Sequence, residues 1–284
     1  MISVLQLGTV EYPTGLRLQE KLVTLRKEGR IGDTLLLLEH TPVITLGRNA
    51  KAANIIASPE LLAQHGVGVF ECDRGGDVTF HGPGQLVAYP IFDLRGFPSS
   101  SETRNTMGVI EFVRNLEEVL IRTCAEFGIP TKRIAGLTGV WTELKAASTG
   151  HAGTAARAHP AESKTLHLSD DHEAKIAALG VHISRGVTSH GIALNVNTDL
   201  SFFNLIVPCG ITSKPVTSMQ KELNRDISMQ DVAHALSRNF GMIFDSQILW
   251  LESLDALLAN NLGVPAKPPD NLRKLRGEDD SAWA

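Results

Sequence analysis

The first fifty residues alternate between apolar runs and short polar breaks. Residues 2–7 are largely apolar, and residues 33–47 (DTLLLLEHTPVITLG) hold two apolar runs separated by Thr41 and Pro42. Apolar runs of this length bounded by turn residues are typical of β-strands. Leucine and valine recur at helical spacing in residues 14–28. The pattern therefore predicts a strand, a helix and two further strands in that order.

Three later segments have the periodicity of helices. Residues 103–128 place apolar side chains three and four positions apart, which predicts the clearest helix of the chain. Shorter helices are predicted at residues 58–65 and 228–240. Each begins with a serine, Ser58 or Ser228, whose hydroxyl can accept hydrogen bonds from the backbone N–H groups of the first turn. Both serines are therefore predicted to be N-caps.

Glycine and proline residues lie between and within the predicted strands of the middle region. Segment 74–94 is a glycine-rich loop followed by an apolar strand, and Pro90 predicts that this strand lies at an edge or is bulged there. Further strands are predicted at residues 136–144, 175–184 and 189–197. Because strands and helices do not alternate regularly, the predicted fold class is α+β, with a mostly antiparallel central sheet flanked by helices.

Two segments lack the pattern of a packed domain. Residues 145–172 are rich in small residues and histidine and have no apolar period, so we predict a flexible insertion. Its four histidines lack the tight spacing of metal ligands, and no metal site is expected. Residues 263–284 are polar and contain prolines, which predicts a disordered tail. The remaining chain, 1–262, is predicted to be one domain.

Composition narrows the functional classes. The 284 residues are 43% hydrophobic, which is ample for one large core. The formal net charge of −4 argues against a nucleic-acid binder that works by phosphate neutralisation. We find neither a signal peptide nor an apolar run long enough to span a bilayer, so no membrane association is expected. Three cysteines are few and odd in number, which favours free thiols in a reducing cytoplasm.

The three cysteines differ in their surroundings. Cys124 falls on the apolar face of the long predicted helix and is expected to be a core residue. Cys72 lies in a loop and is also expected to be structural. Cys209 stands between Pro208 and Gly210, which can present a thiol on a tight turn near backbone N–H groups that stabilise an oxyanion. The local pattern leaves open whether Cys209 is a nucleophile or an inert thiol.

Two other features could serve a nucleophile. Lys175 stands at the head of an almost uninterrupted apolar run, where desolvation would disfavour its charged form and make it a base or a thiolate partner. A solvated strand-end lysine is the alternative. The glycines of residues 74–85 can let the backbone approach a ligand closely, or can serve only as turn residues of a loop. They lack the spacing of a P-loop and of the dinucleotide fingerprint.

Three longer segments carry a family resemblance. They are RGGDVTFHGPGQLVAYPIFDL, KIAALGVHISRGVTSHGIALNVNTDLSFFNLIVPCGI and VTSM, in that order. They closely resemble the lipoyl(octanoyl) transferases of the biotin/lipoate protein ligase superfamily, over about residues 1–245 apart from the insertion. The resemblance implies a class II aminoacyl-tRNA/biotin synthetase-like fold, and a catalytic domain over 1–262.

The resemblance also implies an activity and its residues. The family moves an octanoyl (or lipoyl) group from octanoyl-acyl carrier protein to a lysine of lipoyl domains, in 2-oxoacid dehydrogenase E2 subunits and the glycine cleavage H protein. By motif, Cys209 matches the nucleophile that becomes a thioester, and Lys175 matches its catalytic partner; no cofactor is implied. The substrate-binding segments of the family match Arg74, Gly75, Gly76, Asp77, Val78, Thr79, Phe80, His81, Ala178, Leu179, Gly180, Gly191, Ile192 and Ala193.

Three other functions remain to be separated from this one. An ATP-dependent lipoate–protein ligase of the same superfamily would form an acyl-adenylate and need no cysteine. A lipoyl-domain amidotransferase would use the same cysteine and lysine with a different donor. A non-catalytic module that binds acylated proteins would keep an apolar slot without needing Cys209. The PCGI segment together with Lys175 favours the octanoyl transferase.

Overall fold

The computed structural model describes four stretches of the chain. They are residues 1–100, 104–143, 173–208 and 214–262, with side chains as far as residue 258. The predicted insertion at 145–172, the predicted tail at 263–284 and the candidate nucleophile Cys209 lie outside the described residues. Within them, no helix is long and apolar enough to cross a membrane.

Eleven strands of the described residues form two sheets. In chain order they are β1 (Ile2–Val10), β2 (Asp33–His40), β3 (Val43–Leu46), β4 (Gly68–Glu71), β5 (Val78–His81), β6 (Gln85–Ile91), β7 (Thr131–Ile134), β8 (Leu137–Thr142), β9 (Lys175–Ser184), β10 (Val187–Asn195) and β11 (Ile248–Leu251). The large sheet has the order β11-β1-β2-β6-β10-β9-β8-β7, and the small one has the order β4-β3-β5. In the large sheet only the two pairings of β1 are parallel. The predicted α+β class with a mostly antiparallel sheet is confirmed.

Six helices accompany these strands in the described residues. They are α1 (Tyr12–Lys27), α2 (Pro59–Gln64), α3 (Val109–Glu126), α4 (Met219–Leu223), α5 (Met229–Ile243) and α6 (Leu254–Leu262). The predicted N-caps are confirmed, since the Ser58 hydroxyl accepts from the Leu61 N–H and the Ser228 hydroxyl from the Asp231 N–H. Helix α3 begins later than predicted because Thr106, just before it, pairs with Pro98 in an isolated bridge.

The large sheet is covered on both faces. Leu35 and Leu37 pack into a cluster with α3 and α5, whereas Leu36 and Leu38 pack into a second cluster with α1 and α6. All four side chains are at most 2% exposed. Strands buried on both faces read as continuous apolar runs, which explains the four consecutive leucines. Each buried leucine contributes roughly 1.5–3 kcal/mol relative to an exposed one.

Of the two alternatives predicted from Pro90, an edge strand or a bulge, the edge strand is wrong. Strand β6 lies between β2 and β10 in the middle of the large sheet. Opposite Pro90 the ladder is interrupted, because the His190 N–H donates to Gln19 Oε1 and the Thr188 hydroxyl donates to the Pro90 carbonyl. The His190 N–H and the Pro90 carbonyl therefore both have partners without a backbone ladder bond between β6 and β10 at this position.

The last residue of β8 and the residue just before β9 lie next to each other. The Thr142 N–H donates to the Ala174 carbonyl at 2.9 Å, and the Ala174 N–H donates to the Thr142 hydroxyl at 3.1 Å. The described residues on either side of the predicted insertion are thus hydrogen-bonded to each other.

Candidate active site

The glycine-rich segment is pinned in place by its arginine. The Arg74 guanidinium is buried and donates to the hydroxyl and carbonyl of Thr45 on β3, and to the carbonyls of Gly75 and Asp77. The Gly75 N–H donates to the Val181 carbonyl on β9 at 3.0 Å. These bonds hold residues 74–77 as a fixed wall between the small sheet and the large one.

A cleft lies between this wall and strands β6, β9 and β10. Its volume is about 470 Å³ with the open mouth included. Most of the residues predicted from sequence line it: Arg74, Gly76, Asp77, Thr79, His81, Ala178, Leu179, Gly180, Gly191, Ile192 and Ala193. Three separate segments of the sequence are thereby brought to one cavity.

The other predicted residues of the segment lie elsewhere. Val78 and Phe80 alternate with the cleft-lining residues of β5, and they pack with Ile44 in a third hydrophobic cluster beneath the small sheet. Gly75 contributes its backbone hydrogen bond to β9. Alternate side chains of a strand point to opposite faces, so β5 supplies the cleft and the small core in turn.

Four lining residues have no counterpart in the predicted set. Tyr12, Val87, Tyr89 and His190 complete the cleft. The chain has only two tyrosines, and both are buried there. Their scarcity was the available signal, because a buried tyrosine combines an apolar body with a polar tip that needs a partner.

Histidines beside the cleft form a buried polar network. Nδ1 of His40 lies 2.7 Å from the Val10 carbonyl, which only accepts, so Nδ1 carries the proton. Nε2 of His40 is then left to accept from the Tyr89 hydroxyl at 2.7 Å. Likewise Nδ1 of His81 donates to Gln85 Oε1 at 2.7 Å, and the Gln85 amide donates in turn to Asn195 Oδ1. Both histidines are held neutral in one tautomer.

A second, smaller cavity adjoins the cleft and contains Lys175. It measures about 280 Å³ and shares Thr79, Ala178 and Ala193 with the cleft. The Lys175 side chain is 7% exposed, and its Nζ lies 5.1 Å from the centre of the Trp141 ring. Ammonium groups are attracted to the face of an aromatic ring at this distance, so the ring stabilises the buried lysine side chain.

Gly139 leaves the room that Lys175 needs. Its φ of +134° is rarely adopted by other residues, and a Cβ built there would lie 2.5 Å from Lys175 Cε and 3.3 Å from Nζ. The "GVW" of the sequence thus supplies both the space and the aromatic face beside this lysine.

The chain on both sides of residues 209–213 lies next to Lys175. Pro208 lines the same small cavity. On the other side, the Lys175 N–H donates to the Pro215 carbonyl at 2.8 Å, and the Thr217 N–H donates to the Lys175 carbonyl at 2.9 Å. Lys214 forms an ion pair with Glu173, two residues before Lys175. Both flanks of the PCGI segment therefore converge on one lysine.

Comparisons with known proteins agree with this geometry. The lipoyl protein ligase A/B catalytic domain family matches residues 11–241. An octanoyltransferase of Koribacter versatilis is 56% identical over 279 residues, covering 98% of both chains. One of Acidobacterium capsulatum is 52% identical over 260 residues, covering 91% of this chain and 96% of the relative.

The chain belongs to the octanoyltransferase family. It is an acyltransferase, which sets aside the non-catalytic binding module. Solved structures show the fold: a bi-partite lipoate protein ligase from Thermoplasma acidophilum aligns with a TM-score of 0.61 at 18% identity, covering 94% of this chain and 99% of that one. A lipoate-protein ligase A bound with ATP aligns with a TM-score of 0.59 at 18% identity, covering 89% of each chain. The implied synthetase-like fold is confirmed.

The remaining cysteines of this octanoyltransferase family member are placed as expected. Cys124 is fully buried in the core against α5, and burial raises the pKa of its thiol to about 12. Cys72 is half-buried, and its thiol donates to the Leu46 carbonyl at 3.4 Å. A thiol with a raised pKa is a poor nucleophile, so Cys124 is a packing residue.

The buried histidines predict how stability depends on pH in this octanoyltransferase family member. Burial lowers the pKa of His40 to about 4 and that of His81 to about 3. Unfolded histidine titrates near 6.5, so the stability gained from the neutral forms is complete above that pH and falls as the pH drops toward 4. We expect a loss of about 2 kcal/mol per histidine by pH 5, measured by urea unfolding at pH 7.5 and 5.0.

Two histidine variants check the cause. His40→Gln is expected to flatten the pH dependence between 7.5 and 5.0, because one titrating group is removed. His234→Gln, at an exposed position on α5, should leave it unchanged. Equal unfolding free energies at the two pH values in the unmodified protein would contradict the assignment of both histidines as buried neutral groups.

Proposed function

We infer that this protein transfers an octanoyl group from octanoyl-acyl carrier protein to a lysine of lipoyl domains, through a thioester on Cys209. This reaction is the first step of endogenous protein lipoylation. The observation that carries the proposal is the position of Lys175. Its buried side chain stands where an apolar cleft meets the two flanks of the PCGI segment.

The cleft suits a straight alkyl chain. Ala178 and Ala193 present apolar side chains on adjacent strands, and Val87 adds another from β6. Leu179 and Ile192 alternate with them along the strands and pack into the cluster with α3 and α5. Each buried methylene of the acyl chain would stabilise binding by about 0.8 kcal/mol. The fixed loop of Arg74 to Asp77 would form the opposite wall. In this proposal Val78 and Phe80 support that wall from the small core and do not touch the chain.

The first chemical step exchanges one thioester for another. The Cys209 thiolate attacks the carbonyl carbon of the octanoyl-carrier thioester. The carrier's thiolate leaves and takes up the proton of the Lys175 ammonium, which leaves the Lys175 amine neutral for the second step. One carbon–sulfur bond forms and one breaks, so the step requires no ATP. The Lys175 ammonium beside the site would stabilise the thiolate as its counter-ion.

The second step forms the product amide. The amine of the acceptor lysine attacks the acyl-enzyme carbonyl, the Cys209 thiolate leaves, and the amine loses a proton. We assign Lys175 as the acceptor of that proton, since it is the lysine lining the cavity among the described residues. The thiolate is a good leaving group, and an amide is more stable than a thioester, so transfer proceeds downhill.

The proposal includes protein partners and a compartment. The acceptors are lipoyl domains of 2-oxoacid dehydrogenase E2 subunits and the glycine cleavage H protein. One of the solved lipoate ligases was studied together with its E2 lipoyl domain. A working thiol must remain reduced, which favours the cytoplasm as the site of the reaction.

Mass spectrometry of the intact protein tests the acyl-enzyme. After incubation with octanoyl-carrier and no acceptor, we expect a mass increase of one octanoyl group, located on Cys209 by peptide mapping. Cys209→Ala should show no increase, whereas Cys124→Ala, at a buried packing position, should still be acylated. Turnover without any adduct on Cys209 would refute the mechanism.

Two related activities are separated by the choice of substrates. An ATP-dependent lipoate–protein ligase would stop when ATP is omitted, whereas the proposed transferase continues from octanoyl-carrier. A lipoyl-domain amidotransferase would prefer octanoylated H protein over octanoyl-carrier as donor. The identity of 52–56% to octanoyltransferases over most of the chain favours octanoyl-carrier.

A further inference from the structure

His190 separates the cleft from an open groove that is distinct from the cavity of Lys175. Its side chain lines the cleft on one side, and on the other it lines a groove between α1 and the ends of β9 and β10. The groove measures about 840 Å³ with its open mouth included. Leu16 and Val23 of α1 and the alkyl stem of Lys27 give it apolar surface, and the rest of its lining is mostly polar, with Glu20, Asp73 and His182 among it.

The backbone of His190 is held in an unusual conformation. Its φ of +55° lies in the left-handed region, which residues other than glycine seldom adopt. The N–H donates to Gln19 Oε1 on α1 at 2.7 Å, and Nε2 lies 2.7 Å from Asp73 Oδ1. The residue is 3% exposed. Residues held under strain by several partners are concentrated at functional sites.

His190 lies at the end of the cleft away from the chemistry. On β10, Asn195 lines the cavity of Lys175 and His190 comes five residues before it. Five residues of extended strand span roughly 16 Å at about 3.3 Å per residue. The imidazole meets the edge of the Tyr89 ring at 6.4 Å between centroids, so the two rings together close this end.

We propose that the His190 ring is the end wall that limits the length of the acyl chain, and that the groove behind it can receive the tail of a longer chain once the ring is removed. This inference rests on the proposed octanoyl transfer and names its specificity residue. Acyl groups whose chain ends before the ring fit in front of the wall, and longer saturated acyl groups are rejected by contact with it.

His190→Gly tests the wall directly. Glycine adopts the left-handed conformation without strain and keeps the N–H bond to Gln19, while Asp73 is half-exposed and can be solvated. The measurement is kcat/KM with carrier protein bearing eight-, ten- and twelve-carbon acyl groups. We expect the ratio for twelve against eight carbons to rise at least tenfold over that of the unmodified protein. An unchanged ratio in an active variant would overturn the inference.

Two further variants separate a wall from a structural role. His190→Asn also tolerates the left-handed conformation and is shorter than histidine, so the ratio should rise in the same direction. His182→Ala widens only the groove and removes another contact of Asp73, so the ratio should stay constant. A uniform fall in kcat/KM at all chain lengths in both His190 variants would indicate support of the fold alone and would overturn the proposal.

Ligand binding gives a readout that does not depend on transfer. Dodecanoate should raise the melting temperature of His190→Gly more than octanoate does, with the reverse order in the unmodified protein. If the unmodified protein fails to transfer octanoyl groups but the two fatty acids still stabilise it and His190→Gly in opposite orders, the proposed function fails and the end wall stands. If it transfers octanoyl groups and the fatty acids show no reversal, the end wall fails and the proposed function stands.

Discussion

Lys175→Met is expected to slow octanoyl transfer to the acceptor by about 10²- to 10⁴-fold, the range that proton transfer by a positioned side chain contributes. Methionine keeps the length and apolar contacts of the lysine stem in a position that is 7% exposed, so unfolding should change little. The measurement is single-turnover transfer from the preformed acyl-enzyme, with urea unfolding as the check on folding. Near-normal transfer in a folded Lys175→Met protein would remove the residue from the mechanism.

Lys175→Arg separates the two roles of the amine. Arginine keeps the positive charge but does not release its proton in proteins. If the Lys175 amine serves only as a thiolate counter-ion, both acylation of Cys209 and transfer to the acceptor should be faster in Lys175→Arg than in Lys175→Met. We expect acylation alone to recover, because amide formation needs a proton acceptor. Lys132→Ala is the matched control, since Lys132 pairs with Glu173 outside the cavity and should leave both steps unchanged.

Gly191→Ala is expected to destabilise the protein by about 3 kcal/mol, at the upper end of the usual cost of overpacking. A Cβ at this position would lie 2.1 Å from the Ala88 carbonyl oxygen and 2.7 Å from Pro90 Cδ. Both contacts belong to β6, the neighbouring central strand, which is held by β2 on its other side. The two strands would therefore have to move apart, and the cleft wall with them.

Gly96→Ala provides the comparison for this substitution. No atom lies within 4 Å of a Cβ built at Gly96, so its unfolding free energy in urea should stay within about 0.5 kcal/mol of the unmodified protein. A similarly small change for Gly191→Ala would show that β10 and β6 can separate at no cost, contrary to the packing described above.

Local pattern predicted the strands and helices whose burial is regular. The leucine run of β2 and the serine caps of α2 and α5 were readable because each depends on neighbours within a few residues. Strand β5 was missed inside the glycine-rich segment. Its four residues become a strand only by pairing with β3, more than thirty residues earlier, and no local period reveals that pairing.

The site was predictable at the positions that match the substrate-binding segments of the family and not at the other lining positions. Tyr12 and Tyr89 reach the cleft because the sheet order sets β6 beside β10, with α1 packed across both. Sheet order is a property of the whole chain, so these side chains carry no signal in their own segments. The central position of Pro90 was not predictable for a similar reason, since the N–H of the facing residue, His190, donates to Gln19 of a distant helix.

The mutual hydrogen bonds of Thr142 and Ala174 have an energetic consequence for the sequence between them. They fasten the two ends of that stretch together, so for the flexible insertion predicted from the sequence its length would enter the folding free energy through the entropy of closing a loop. That entropy grows with the logarithm of length, at about 0.6 kcal/mol for each doubling. Shortening the stretch to a quarter would therefore change stability by only about 1.2 kcal/mol. The junction between β8 and β9 is a place where chain length can vary at little thermodynamic cost.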